Sequence, residues 1–312
     1  MTKKRLCCGL MMVVVALSLC GCFGANVQNE PESRMDAIRV SGEEPRIKVY
    51  KVSTNEIEEM EIERYVQGVL AGEMSNEWPM EALKAQAILA RTYVMKFLNE
   101  KTSKYENADI STDIREAQAY DDSAINERIE KAVKQTRGLV LSYRGEYPYA
   151  WFHAHAGGMT ELATVALDYK QDDPAYMRPV QSPDSDMAPT SVKHWEAAFS
   201  HAEFEKAAGV KAVASVKVGE RGESGRAKML LVNGKDISAP TLRIALGSTK
   251  LKSTLIDKVT LTDDEVIFEG RGYGHGVGMS QWGAYEMAMR GDDAAAIISQ
   301  YFNDIGYEKL WA

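Results

Sequence analysis

The sequence predicts an α+β fold. Helical periodicity dominates early and late in the chain, strand-like segments are separated by long connections, and several of these strands cluster ahead of an unusual glycine run. The expected architecture is a helical hairpin with a glutamate near its corner, packed with mixed and antiparallel β elements. A small β-rich subdomain over about residues 210–268 completes it, with a cleft between the two parts.

The N-terminal residues read as export and tether. Lys3, Lys4 and Arg5 precede an apolar run from Leu10 to Leu19, too short to cross a bilayer but suited to a signal-peptide core. It ends Leu19-Cys20-Gly21-Cys22, which resembles a bacterial lipobox. The expectation is a signal peptide over residues 1–21, a lipidated Cys22, and a polar tether over residues 22–45. Two or more acyl chains, at about 0.8 kcal/mol per buried methylene, would hold the folded domain on the extracytoplasmic face of a bacterial membrane. An uncleaved signal anchor is the alternative. All four cysteines (Cys7, Cys8, Cys20, Cys22) lie in this segment, so the rest of the chain has no disulfide and no cysteine metal ligand. A net charge of −8 argues against nucleic acid as a partner.

The folded part, residues 46–312, begins with Arg46 to Val52, where charged and apolar residues alternate as in a half-exposed strand. Ile62, Val66, Val69 and Glu73 then recur at helical spacing and share one face. A carboxylate ending an apolar stripe is desolvated if that face lies against a core or cleft wall, which raises its pKa from about 4.3 and suits it to donate a proton near neutrality. The alternative is a helix-end glutamate that reaches solvent. Leu83, Ala87, Ala90, Val94 and Phe97 mark a second helix, entered through Trp78-Pro79, with Gln86 and Arg91 off its stripe for surface or substrate.

Residues 105–120 are polar and irregular, and Ile125 to Thr136 is helical. Gly138 to Tyr143 and Tyr149 to His153 suggest a hairpin. His153 and His155 sit two apart, as a metal pair would, yet no third ligand has helpful spacing. Val192 to Ala208 reads as helix. Ala212 to Val218, Lys228 to Val232 and Ile256 to Leu261 read as strands joined by turns, one of them at Asn233-Gly234. A last helix, Asp293 to Phe302, carries an aspartate cap.

From Gly270 to Gly278 every second residue is glycine. At strand spacing Arg271, Tyr273, His275 and Val277 would project from one side, leaving the other bare for close approach of a ligand or a neighbouring segment. A structural hairpin with one incidental histidine is the alternative. The spacing fits neither common nucleotide fingerprint.

Gly-Tyr-Gly-His-Gly-Val-Gly-Met-Ser-Gln-Trp-Gly-Ala, residues 272–284, resembles the signature of the stage II sporulation protein D and amidase-enhancer family. So do Ala-Gly-Glu-Met at 71–74, Leu-Lys-Ala-Gln-Ala at 83–87 and Ala-Arg-Thr-Tyr at 90–93. His153, Gly157, Gly158 and Thr160 match its His-x-x-x-Gly-Gly-x-Thr stretch, which implies a cleft-lining loop. The resemblance implies a lytic transglycosylase that cuts peptidoglycan between N-acetylmuramic acid and N-acetylglucosamine, leaving 1,6-anhydro ends, with Glu73 catalytic. Ordinary glycosidases need two carboxylates; here the sugar's own 6-hydroxyl attacks, so one suffices. Arg91, His153, His275, Ser280 and Gln281 become candidate polar contacts to the glycan, and Tyr273, Trp282 and Trp78 candidate stacking rings. Some family members hold zinc through histidine and cysteine just before Gln-x-Tyr. This chain offers Ser111, Glu116 and Ala117 before Gln118, so neither metal nor cofactor is expected. The competing reading is a non-catalytic glycan-binding enhancer of a partner amidase.

Overall fold

A computed structural model describes residues 38, 39 and 41–312; the signal segment and Cys22 lie outside the described residues. The folded body starts earlier than position 46. Ile38 is buried in the main core, Arg39 pairs with Glu308 at 2.7 Å, and Glu44 accepts from the Glu63 amide at 2.8 Å.

β1 (Arg46–Lys51) buries Ile47 and Val49 and pairs antiparallel with β2 (Glu56–Glu61), an acidic edge strand with little periodicity to announce it. α1 (Ile62–Glu73) and α2 (Met80–Glu100) form the expected hairpin. Ile62, Val66 and Val69 are fully buried, as are Leu83, Ala87, Ala90 and Val94. β3 (Ile110–Ser111) runs parallel to β1. α3 (Glu127–Gln135), capped by Asn126, covers the hairpin.

β4 (Leu139–Ser142) does not pair with the segment that follows it. Its partner is the last strand of the chain, in register from Leu139↔Lys309 to Ser142↔Gly306. β5 (Phe152–His153) instead lies parallel to the strand at Met279–Ser280. The hairpin expected over residues 138–153 is therefore replaced by two long-range pairings, which draw the middle of the chain and its C-terminal part onto one core. α4 (Ala163–Ala166) and α5 (Thr190–Lys193) are single turns.

A second core gathers Trp195, Phe199, Phe204, Leu230, Val232, Leu242 and Phe268. It begins at β6 (Trp195–Ser200), ahead of the expected limit. Residues 195–200 form a strand, not the helix expected there, because Trp195, Ala197 and Phe199 alternate inward and pair with a neighbouring strand. The helix, α6 (His201–Ala208), starts only at the Ser200–Glu203 capping box. β7 (Val216–Val218), β8 (Met229–Val232) and β9 (Lys235–Ser238) form one sheet, with Asn233 and Gly234 turning at positive φ. α7 (Ala239–Leu246), β10 (Ile256–Leu261) and β11 (Glu265–Gly270) complete the module. Trp195 pairs with Gly270, so this module leaves and rejoins the main core at one place. Then come β12 (Met279–Ser280), α8 (Gln281–Met289), α9 (Ala294–Tyr301) and β13 (Gly306–Lys309), with Asp293 capping α9 as expected.

Candidate functional site

Glu73 is the last residue of α1. Two glycines on that helix let a loop lie directly on it: a Cβ at Gly68 would come within 2.2 Å of the Tyr120 ring, and one at Gly72 within 2.7 Å of the Tyr120 nitrogen. The loop is thereby held where the Ala119 amide donates to Glu73 Oε1 at 2.7 Å. Gln281 Nε2 donates to the Glu73 main-chain carbonyl at 3.2 Å. Burial among these groups pushes the carboxyl up to about 7, against the opposing pull of the Ala119 hydrogen bond and the nearby Gln281 side-chain amide. A half-buried edge nonetheless leaves Glu73 open to solvent. Trp78 lies 4.6 Å from Trp282 and 5.2 Å from Tyr285, ring centre to ring centre. The segment that ends in Glu73 is thus joined, through Trp78 five residues on and through the Gln281 contact, to a cluster of three aromatic rings.

Gln281 opens α8 immediately after the glycine run, so the two most distinctive stretches of the sequence meet at Glu73. The run itself is not a strand. Gly272, Gly274, Gly276 and Gly278 all have positive φ, between 69° and 103°. A Cβ at Gly276 would lie 2.2 Å from Arg226 Nε, and one at Gly278 only 2.0 Å from the Trp151 carbonyl oxygen. Of the two occupants foreseen for the bare side, the neighbouring chain fills these positions.

A family model described as "Stage II sporulation protein" matches residues 50–143, and one for a domain of unknown function matches residues 188–278, which contain the second module's strands. Stage II sporulation protein D of Bacillus amyloliquefaciens is 30% identical over 313 residues, 90% of this chain and 87% of its own. This chain belongs to the stage II sporulation protein D family. An uncharacterized protein of Brachyspira hyodysenteriae is 33% identical over 260 residues, 80% of this chain and 67% of its own. The amidase enhancer of Bacillus subtilis is 29% identical over 286 residues, 76% of this chain but 39% of that longer protein.

The family's glycine stretch is held by two residues that the sequence did not single out. Arg226, fully buried, donates to the carbonyls of Ala156 (2.8 Å), His275 (3.2 Å) and Met159 (3.4 Å). Burial lowers its pKa to about 10, with Glu161 and Asp184 opposing. Asp184 accepts from the amides of Gly157 (2.8 Å) and Gly158 (3.2 Å) and from the hydroxyls of Ser182 (2.8 Å) and Ser280 (2.5 Å). Ser280 in turn caps α8 through the Gly283 amide at 3.3 Å. Asp184 is therefore tied, through that cap, to the Gln281 contact on Glu73. Asp184→Asn is expected to cost about 2–3 kcal/mol, because an amide offers a donor to groups that are themselves donors. Thermal melting measures this; an unchanged midpoint would mean the carboxylate does not hold the joint.

The expected site residues fall into two groups. His153, Gly157, Gly158, Thr160, Tyr273, His275, Ser280 and Gln281 are brought together around the glycine run, and Gln281 joins them to Glu73. Ser280 is fully buried with its hydroxyl committed to Asp184, and Thr160 is buried with its hydroxyl on the Val180 backbone at 2.9 Å. Both position the loops instead of offering a free hydroxyl. Tyr273 pairs its backbone with His155 and keeps its ring half-buried. Arg91 belongs to the other group. It is fully buried, not on the surface or facing a ligand, and makes a two-pronged pair with Glu63 at 3.0 and 2.6 Å.

His153 and His275 are held neutral. His153 Nδ1 donates to the Val277 carbonyl at 3.1 Å, and His275 Nδ1 accepts from the Val277 amide at 3.0 Å. Burial pushes His153 well down and His275 to about 3, with Arg226 adding to both. Among the described residues no group of three or more His, Cys, Asp or Glu is arranged to hold a metal. The loop that carries zinc in some family members does not fit the ion here. Glu116 accepts from Ser103 and the Lys104 amide, while Lys104, Arg115 and Tyr105 occupy Asp113 and hold its carboxyl well below the usual range.

Proposed function

We propose that this protein is a membrane-tethered lytic transglycosylase acting on peptidoglycan glycan strands in sporulation or cell-wall remodelling. The observation that carries the reading is a carboxyl raised to about 7 at the end of a helix whose neighbouring segments bring three aromatic rings together. Protonated Glu73 gives its proton to the glycosidic oxygen as the bond from the N-acetylmuramic acid C1 to that oxygen breaks. The resulting carboxylate then takes the proton from the same sugar's 6-hydroxyl as the O6–C1 bond forms. The acid is regenerated, no water is consumed, and a 1,6-anhydro end is left. Trp78, Trp282 and Tyr285 suit the apolar faces of sugar rings.

The names of the relatives, a sporulation protein and an amidase enhancer, fit a role at the cell wall. Similarity to the enhancer favours a second reading, a glycan-binding module that stimulates a partner amidase. Incubating purified glycan strands with the protein and searching for anhydro-muropeptides by mass spectrometry separates the two. Release of these products supports the enzyme; glycan binding without them supports the enhancer. The tether is a lipid on Cys22 at the extracytoplasmic membrane face. Cys22→Ser is expected to abolish fatty-acid labelling and move the protein out of the membrane fraction, and labelling that persists would rule the anchor out.

A further inference from the structure

A cavity of about 310 Å³ lies along the second half of α2, lined by Tyr93, Phe97, Tyr149, Trp151 and Tyr169. Tyr149 and Trp151 stack at 4.5 Å with their planes 7° apart, and Tyr169 stands edge-on to both at 5.8 and 5.5 Å, making an aromatic corner. Lys96 fixes one side: its ammonium lies 4.2 Å from the Tyr149 ring centre and donates to Glu100 at 2.6 Å. Among the charged residues that line the cavity, Lys96 and Lys101 outnumber Glu100 by one, and Lys101 lies over the Phe97 ring.

Both walls of this cavity lead to Glu73. Tyr93 donates to the Glu116 carbonyl at 3.2 Å, in the segment whose Ala119 amide meets the acid. Trp151 begins the segment whose Ala154 carbonyl accepts from Trp282, the residue after Gln281. Aromatic faces with polar tips match a pyranose, which has apolar C–H faces and a polar rim, and the volume is at the small end of ligand pockets. The cation favours a ring bearing an acidic substituent.

We propose that this cavity is a second saccharide subsite, taking one carboxylate-bearing pyranose of the strand on which Glu73 acts. It rests on the proposed function for the identity of that strand. The test measures binding of fluorescent glycan strands to the full chain carrying Glu73→Gln, so that cleavage does not intervene. Adding Tyr169→Ala should weaken binding about tenfold. Adding Lys101→Glu should weaken acid-bearing strands severalfold while sparing neutral N-acetylglucosamine oligomers. Undiminished binding by a Tyr169→Ala protein that melts normally would overturn the subsite. So would a Lys101→Glu protein that treats both glycans as its parent does, and this exposed variant decides the matter if Tyr169→Ala fails to fold. Weakened binding in these variants alongside a parent that never yields anhydro ends would sink the enzyme reading and leave the subsite standing. Cleavage with unweakened binding would do the reverse.

Discussion

Glu73→Gln is expected to bind glycan strands about as tightly as the parent and to release almost no anhydro product. Glutamine keeps an oxygen for the Ala119 amide, and Gln281 contacts the main-chain carbonyl, which is unchanged. What is lost is the proton. General acid–base catalysis by one group typically contributes about 10²–10⁴ in rate, and here one group serves both half-reactions. The parent's pH profile should carry the same signature, with kcat/KM falling as pH rises through about 7, where the acid ionises. The stability effect has a definite sign. The folded pKa, about 7, lies above the unfolded value, so the fold holds the proton more tightly and loses stability as pH rises from about 4.5 to 7. Glutamine has no charge to bury. At pH 8 the variant should therefore be more stable than the parent, by about 1–3 kcal/mol after allowance for the exposed edge. A variant that cleaves at the parental rate would remove Glu73 from the mechanism.

The place of Glu73 at the end of an apolar helix face was legible because helix geometry is local, whereas its catalytic role came only from the resemblance. Four residues at spacings of four, three and four must share a face, and the core took that face. The glycine run was legible as special but not in its conformation. Period two suggests a strand, whereas each alternate glycine adopts a positive φ that a side chain would resist. That difference depends on what lies opposite, here the Trp151 carbonyl and the Arg226 guanidinium, and neither is near in sequence.

The same reason explains the other departures. Residues 139–142 announce a strand, but its partner is the end of the chain, and local pattern cannot name a partner so far away. Residues 192–208 merge a strand and a helix because their alanines favour helix throughout, and only the Ser200–Glu203 capping box marks the switch. Asp184 stands in a proline- and serine-rich loop with nothing periodic about it. Its importance comes from two amides and two hydroxyls that converge only after folding.

Arg91→Met is expected to lower stability by about 3–5 kcal/mol, the usual result of leaving a buried charge without its partner. Glu63 is 5% exposed and Arg91 fully buried. Their two-pronged contact is extended by the Gly138 amide (2.8 Å) and the Trp311 indole (2.9 Å), both donating to Glu63 Oε1, and by Arg91 Nη1 donating to the Leu139 carbonyl (2.9 Å). The pair thus ties α1 and α2 to the start of β4 and to the C-terminal residues, the same closure that the β4–β13 pairing makes. For a chain of this size the loss corresponds to a fall in Tm on the order of 10 °C. Adding Glu63→Gln should recover part of it, because the orphaned carboxylate is then gone while the Gly138 amide and the indole keep an acceptor. A residue placed for substrate would behave in the opposite way, with glycan affinity falling and Tm unmoved. Thermal melting of the single and double variants beside glycan binding tells the two roles apart: an Arg91→Met protein that melts with the parent and binds poorly would return this arginine to the site.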